Sequence, residues 1–425
     1  MKQNVAMIKR ITGNQNKNVL SKIAISVLIC LLLIAAPAFG GGKNKMEYLY
    51  DNFQDIKPLT LTPQIYKIDT RSSISLFPVP FDNAVGTNDL RNAITVISFP
   101  KGKLDMENHF RSLFDDVRGG GTFLPVIPPN SIGFGQTRRF LLFNFKTGSH
   151  RYYRLFPSID EKIENIAIAD ARKKLFLVET EGLNRHSEDH NDGTYFLQLF
   201  DLRGEEAKIM KKIDIGTGSI WTVAHDHVFL WYFSKKVMVV YDKDLELAQH
   251  PLGDIIKKNS KNEEVRFNTI VPHPTLPFVI LWGGKYGSIY ISWGKGRDQN
   301  PRSFITNATQ FSFSPDGKWV TFKQYINLRE ERTYIMPVSE KYPNYLGSPI
   351  LLVKERFNPK GCTWTKNPVS FVADGLDGLY RWELTKEAQK SMMGDDFDKY
   401  GTFHDYIVAK DLEKLTKEKK QGLGK

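Results

Sequence analysis

Polar and apolar residues alternate in short runs along most of the chain, and the clearest run reads Phe311-Ser312-Phe313-Ser314-Pro315-Asp316-Gly317-Lys318-Trp319-Val320-Thr321-Phe322. Phe311 and Phe313 stand two apart and fall on one face of a strand, as do Val320 and Phe322. Between them Pro315 fixes φ, Asp316 can bond its own backbone, and Gly317 supplies the positive φ of a tight reversal. The pattern predicts a β-hairpin. The same order of apolar pair, short turn and β-branched or aromatic pair recurs at 166–177, 220–230, 270–280 and 362–371, with starts 41 to 54 residues apart. A period in that range marks the blades of a propeller or another repeat array.

A second column of turns follows the first, at 143–148, 200–204, 241–244, 293–296, 337–340 and 382–385. Two hairpins per repeat make a four-stranded unit, which buries both faces only against neighbours and loses its open edges when the array closes radially. The expected fold is all-β, a β-propeller of seven blades, with six and eight as neighbouring counts. The region before residue 130 supplies further strands at 65–68, 74–77 and 93–99. It also holds a helical insertion over 105–117, where Met106, Phe110, Leu113, Phe114 and Val117 share one face and three glycines end the run. That insertion is read either as a functional decoration or as the cap of a sheet edge. The β pattern spans 39–385. Residues 386–425 are expected to form a charged, solvated helical tail, with Ile407, Val408, Leu412 and Leu415 set among lysines and acids.

Charge changes the picture at the amino terminus. Of a formal net charge of +12, five positive charges lie in the first 22 residues, before any acidic residue, and the remainder carries +7. An apolar run from Ile23 to Phe39 follows, with Ala36-Pro37-Ala38 at its end, the layout of a secretory signal over 1–38. The competing expectation is a retained membrane anchor, since this length sits at the lower edge of what spans a bilayer. On either reading the body leaves the cytoplasm, for the periplasm or the medium. The mild positive surplus is mixed with acids along the chain, which argues against nucleic acid as a partner. Cys30 lies in the apolar run and leaves Cys362 alone, so no disulfide framework is expected.

The stretch Phe313 to Phe322 resembles the repeat signature of TolB-like propellers, WD-repeat-like modules of exported bacterial proteins. Degenerate echoes run from about residue 166 to 373. The resemblance implies a propeller that docks other envelope proteins or accompanies an enzyme domain. Neither the α/β domain that precedes the propeller in TolB nor a following hydrolase domain is legible.

Candidate chemistry is sparse. No G-x-S-x-G elbow, Walker loop, dinucleotide fingerprint, H-E-x-x-H or C-x-x-C-H occurs. Cys362 reads as a small buried hydrophobe rather than a nucleophile. The segment Gly182 to Gly193 concentrates His186, Glu188, His190 and Asp192, a set that suits a divalent cation; its Asn, Asp, Gly and Ser content equally suits an ordinary exposed turn. Arg185, His186 and Asp189 of the same loop, with His225 and His227, are candidate partner contacts. His225-Asp226-His227 occupies the turn that Pro315-Asp316-Gly317 fills elsewhere, and His273 is likewise a turn residue. The function expected is that of an exported, non-enzymatic platform for an envelope protein. The alternative is a ligand- or metal-binding propeller, with hydrolase-like chemistry in the central channel.

Overall fold

The structure, a computed structural model, describes residues 61–67, 75–79, 81–88, 94–99, 102–103, 122–123, 131–135, 139–144, 150–155, 161–170, 173–182, 194–216, 219–232, 237–252, 267, 269–283, 288–292, 302–303, 308–327, 330–353, 362–375 and 378–422. The expected signal over 1–38, the 105–117 helix and most of the 182–193 loop lie outside these residues.

The strands are β1 (Gln64–Tyr66); β2 (Ser75–Pro78), β3 (Ala84–Asn88), β4 (Ile94–Ser98) and β5 (Gly102–Lys103); β6 (Thr122–Phe123), β7 (Ser131–Gly135), β8 (Arg139–Asn144) and β9 (His150–Arg154). Then come β10 (Glu161–Asp170), β11 (Leu175–Gly182), β12 (Thr194–Asp201) and β13 (Lys208–Asp214), followed by β14 (Ile220–Ala224), β15 (His227–Tyr232), β16 (Val237–Asp242) and β17 (Leu247–Leu252). The series ends with β18 (Thr269–Pro272), β19 (Phe278–Trp282), β20 (Ser288–Ser292) and β21 (Arg302–Ser303), then β22 (Ala308–Phe313), β23 (Trp319–Asn327), β24 (Glu330–Pro337) and β25 (Ile350–Val353), and β26 (Cys362–Thr365), β27 (Ser370–Gly375) and β28 (Gly378–Glu383). Among the described residues these form seven antiparallel four-stranded sheets, six of them consecutive meanders and the seventh ordered β1-β28-β27-β26. The first strands meet in series: β10 touches β6 and β14, β14 touches β18, β22 touches β26, and β26 returns to β2. This is a β-propeller, with those strands innermost.

All five repeats of the first sequence column are the inner hairpins of their sheets. In the quoted stretch, Ser314 N–H donates to Trp319 O at 2.8 Å and Gly317 N–H to Ser314 O at 2.9 Å. The Ser314 hydroxyl donates to Asp316 Oδ1 at 2.6 Å, and Gly317 takes φ +69°.

Packing follows from the period-2 geometry of strands buried on both faces. Along β15, Val228, Leu230 and Tyr232 join Leu177, Leu197 and Leu199 of the preceding sheet, whereas Phe229 and Trp231 join Val279 and Leu281 of the following one. On β19 the alternation repeats, with Phe278 and Ile280 facing Phe311, Phe322 and Tyr334. Each such side chain contributes about 1.5–3 kcal/mol on burial. This double burial is why the middle strands read as nearly continuous apolar runs, while β13, an outer strand, leaves Ile209 and Met210 exposed.

The last element of the second sequence column is corrected. Residues 382–385 do not turn into an outer strand; the chain enters a helix, and the outer position is filled by β1 from the other end of the sequence. β1 pairs with β28 through Gln64↔Arg381, Ile65↔Tyr380 and Tyr66↔Leu379. At Gly378, φ +133°, an added Cβ would lie 2.2 Å from the Tyr66 carbonyl oxygen, so a side chain there would push β1 off. Arg381, 2% exposed, draws the last sheet to the first. Its Nε donates to Ser370 Oγ at 2.8 Å and its Nη2 to Asn83 Oδ1 at 2.6 Å; Nη2 is also 2.7 Å from Glu383 Oε2, and the guanidinium lies 4.8 Å from the centre of the Phe99 ring.

The tail is helical, as α1 (Lys386–Met393), α2 (Asp396–Tyr400) and α3 (Phe403–Gly422). Thr385 caps α1, accepting from Ala388 N–H at 3.1 Å. The expected solvated tail is corrected too: Met393 and Phe403 are buried with Trp319, Trp364 and Trp382. Asp411 of α3 accepts from the Tyr342 hydroxyl at 3.0 Å and from Ser348 N–H at 2.8 Å. The apolar residues of the tail were visible in sequence; the sheet surface that receives them was not. Among the described residues, no helix is long and apolar enough to cross a membrane.

Candidate functional site

The turns joining first and second strands collect at one rim. In the β14–β15 turn, His225 and Asp226 both take positive φ, 51° and 59°, as a two-residue I′ hairpin requires. His227 Nδ1 donates to His225 O at 2.6 Å, and His225 Nε2 donates to His273 O, in the next sheet's turn, at 2.7 Å. His273 Nε2 in turn donates to Gly317 O, one sheet further, at 2.8 Å. Its Nδ1 accepts from Thr275 and Leu276 N–H at 3.1 and 2.7 Å, which fixes the neutral Nε2–H tautomer. Its ring stacks on Phe278 with centroids 4.9 Å apart. Burial is the main cause that pushes the His273 pKa down to about 4, with His225 adding to the same effect. Three successive sheets are thus joined turn to turn by two imidazoles. The last and first sheets are joined at the equivalent place, where Asn83 N–H donates to Lys366 O at 2.6 Å and Asn367 Nδ2 to Asp82 Oδ1 at 3.0 Å.

His225 and His227 therefore sit where the sequence put them, in a half-buried rim turn, and both are engaged with backbone carbonyls. Arg185, His186, Glu188, Asp189, His190 and Asp192 lie outside the described residues. Among the described residues no group of three His, Cys, Asp or Glu side chains is placed to hold a metal ion. Cys362 is a thiol at neutral pH, since burial pushes its pKa up to about 11 despite the nearby Lys323.

A second site was not found from sequence. Between β22–β25, β26–β28 and the C-terminal helices lies a cavity of about 210 Å³. Its walls are Trp319, Trp364, Trp382, Phe371 and Phe403, with Lys318 and Asp316 of the β22–β23 turn also in the lining. The geometry of the walls is set by ring contacts: Trp319 stacks with Phe403 at 6.2 Å, Phe371 lies 5.4 Å from Trp364 and 5.6 Å from Trp382. Trp364 Nε1 is anchored on Ser312 O at 3.2 Å. His404 also lines it, donating from Nε2 to Val338 O at 3.0 Å, and burial lowers its pKa. The tryptophans were legible as strand residues that pack between blades. That three of them meet around a space, walled on one side by the tail, required the fold.

Strand order and the ring of first strands define the class, a β-propeller. No protein-family model matches the chain, and no curated protein sequence matches it significantly. Among solved structures the chain is similar to the crystal structure of the Myceliophteria thermophila Cps50 (Swd1) beta-propeller domain, at 12% identity and a TM-score of 0.47, over 76% of this chain and 100% of that one.

Proposed function

We propose that this propeller is an exported, non-enzymatic platform that docks a protein of the cell envelope, as in the TolB-like modules that its best repeat resembles. In this reading residues 1–38 are a secretory signal and the mature chain resides in the periplasm or the medium; retention of 23–39 would tether it to the membrane. The observation that carries the reading is the use made of the described rim imidazoles. His225, His227 and His273 each donate to a backbone carbonyl. Groups spent in this way stiffen a surface rather than perform acid–base chemistry. Turns stiffened in this way make the propeller a rigid scaffold, and loops held on a rigid scaffold are where binding residues concentrate. The expected contact is the 182–193 segment, which joins β11 to β12 at the end of the sheet opposite its first-to-second-strand turn.

The test is crosslinking capture from the native envelope with the intact chain and with a variant whose residues 183–192 are replaced by Asn-Gly. The proposal expects one partner recovered with the intact chain and lost with the variant. Recovery of no partner, together with a stoichiometric divalent ion that the variant lacks, would replace it with the metal-binding alternative.

A further inference from the structure

We propose that the cavity between the last two sheets and the C-terminal helices is a binding site for one planar aromatic group of one or two rings. This goes beyond the platform reading and does not depend on it.

Size limits the group held between the rings, while the space opens to solvent on one side. A buried apolar cavity of about 150 Å³ accommodates benzene, and the space here is about 210 Å³. That admits a second fused ring and little more. Wall chemistry sets the class. Five aromatic side chains surround the space, each only 3–5% exposed, so they are fixed by packing before any ligand arrives. Ring walls of this kind favour a flat π-system through offset and edge-to-face contacts. The walls come from separate parts of the chain, Trp319 from β23, Trp364, Phe371 and Trp382 from β26–β28, and Phe403 from α3. The site therefore exists only when the tail is docked. Lys318 and Asp316, both exposed, offer one charge of each sign for a polar substituent. The same ring could belong to a free small molecule or to a side chain of a peptide.

The experiment is calorimetric titration of the full chain with indole and, separately, with acetyl-tryptophanamide. Saturable binding of indole is expected, at one per chain and with a Kd below about 1 mM. Binding of both probes points to a peptide-borne ring as an admissible source; binding of indole with rejection of the amide points to a free small molecule. Leu384→Trp and Val369→Phe, both in the lining at the β27–β28 end of the last sheet, should each weaken indole at least about tenfold. Photolabelling of the unsubstituted chain with an azidoindole needs no variant and should mark peptides containing Trp319, Trp364 or Phe403. Absence of saturable binding, labelling elsewhere, or folded filled variants that bind as the parent does would overturn the proposal.

Discussion

His273 is the residue whose surroundings constrain it most. The sequence, with a proline on each side, placed it in a turn, and it is in one. Its bonds to Gly317, 44 residues on, and from His225, 48 residues before, were not legible, because they depend on which turns the ring brings side by side. Protonation would turn Nδ1 from an acceptor of two N–H groups into a donor facing them. The folded pKa is near 4, below the unfolded value of about 6.5. The unfolded chain therefore binds the extra proton first, and the stabilisation, full above pH 6.5, is lost as pH falls toward 4. The shift corresponds to up to about 3 kcal/mol. Denaturant midpoints measured across this window should fall more steeply for the parent than for His273→Gln; parallel slopes would remove His273 from the explanation. Gly317 shows the complementary case. Its positive φ was legible from the Pro-Asp-Gly order, but its second constraint was not: an added Cβ would stand 2.8 Å from His273 Cε1. Gly317→Ala should lower stability by more than about 1 kcal/mol in thermal unfolding, through backbone strain and the displaced ring.

Among the elements, hairpins were readable because each is written locally, by alternation on two strands and a turn between them. β1 was readable as a strand but not as part of the last sheet, since nothing in a three-residue outer strand names its partner. Arg381 makes the same point. It lies in an apolar strand, buried beside Glu383, and only the closed ring supplies Asn83 and Phe99. Arg381→Ala should cost about 3 kcal/mol or more, because it leaves Glu383 without its buried partner. Urea unfolding would read that loss, and a cost below about 0.5 kcal/mol, the range of an ordinary surface change, would deny Arg381 a role in closure. The C-terminal helices were recognised by period and misjudged in environment. Their apolar face looked thin against the charges, yet Asp411 and Phe403 hold it to the sheets, and the aromatic cavity arises at that junction.

At the scale of the whole molecule, the repeat interval and the absence of known catalytic spacings led to a propeller and to a docking role. The loop expected to carry that role lies outside the described residues and joins β11 to β12 at the end of the sheet opposite the first-to-second-strand turn, so the case for it rests on the stiffness of the scaffold. Both the proposed platform and the aromatic site require a ring that stays closed, and closure depends on β1 lying on β28. Hydrogen exchange of the purified chain measures this directly. Amides of residues 64–66 should open with a free energy within about 1 kcal/mol of those in β27 and β28, as members of one cooperative unit. Exchange of β1 at the rate of a free peptide, with β27 still protected, would mean an open ring and would contradict the account.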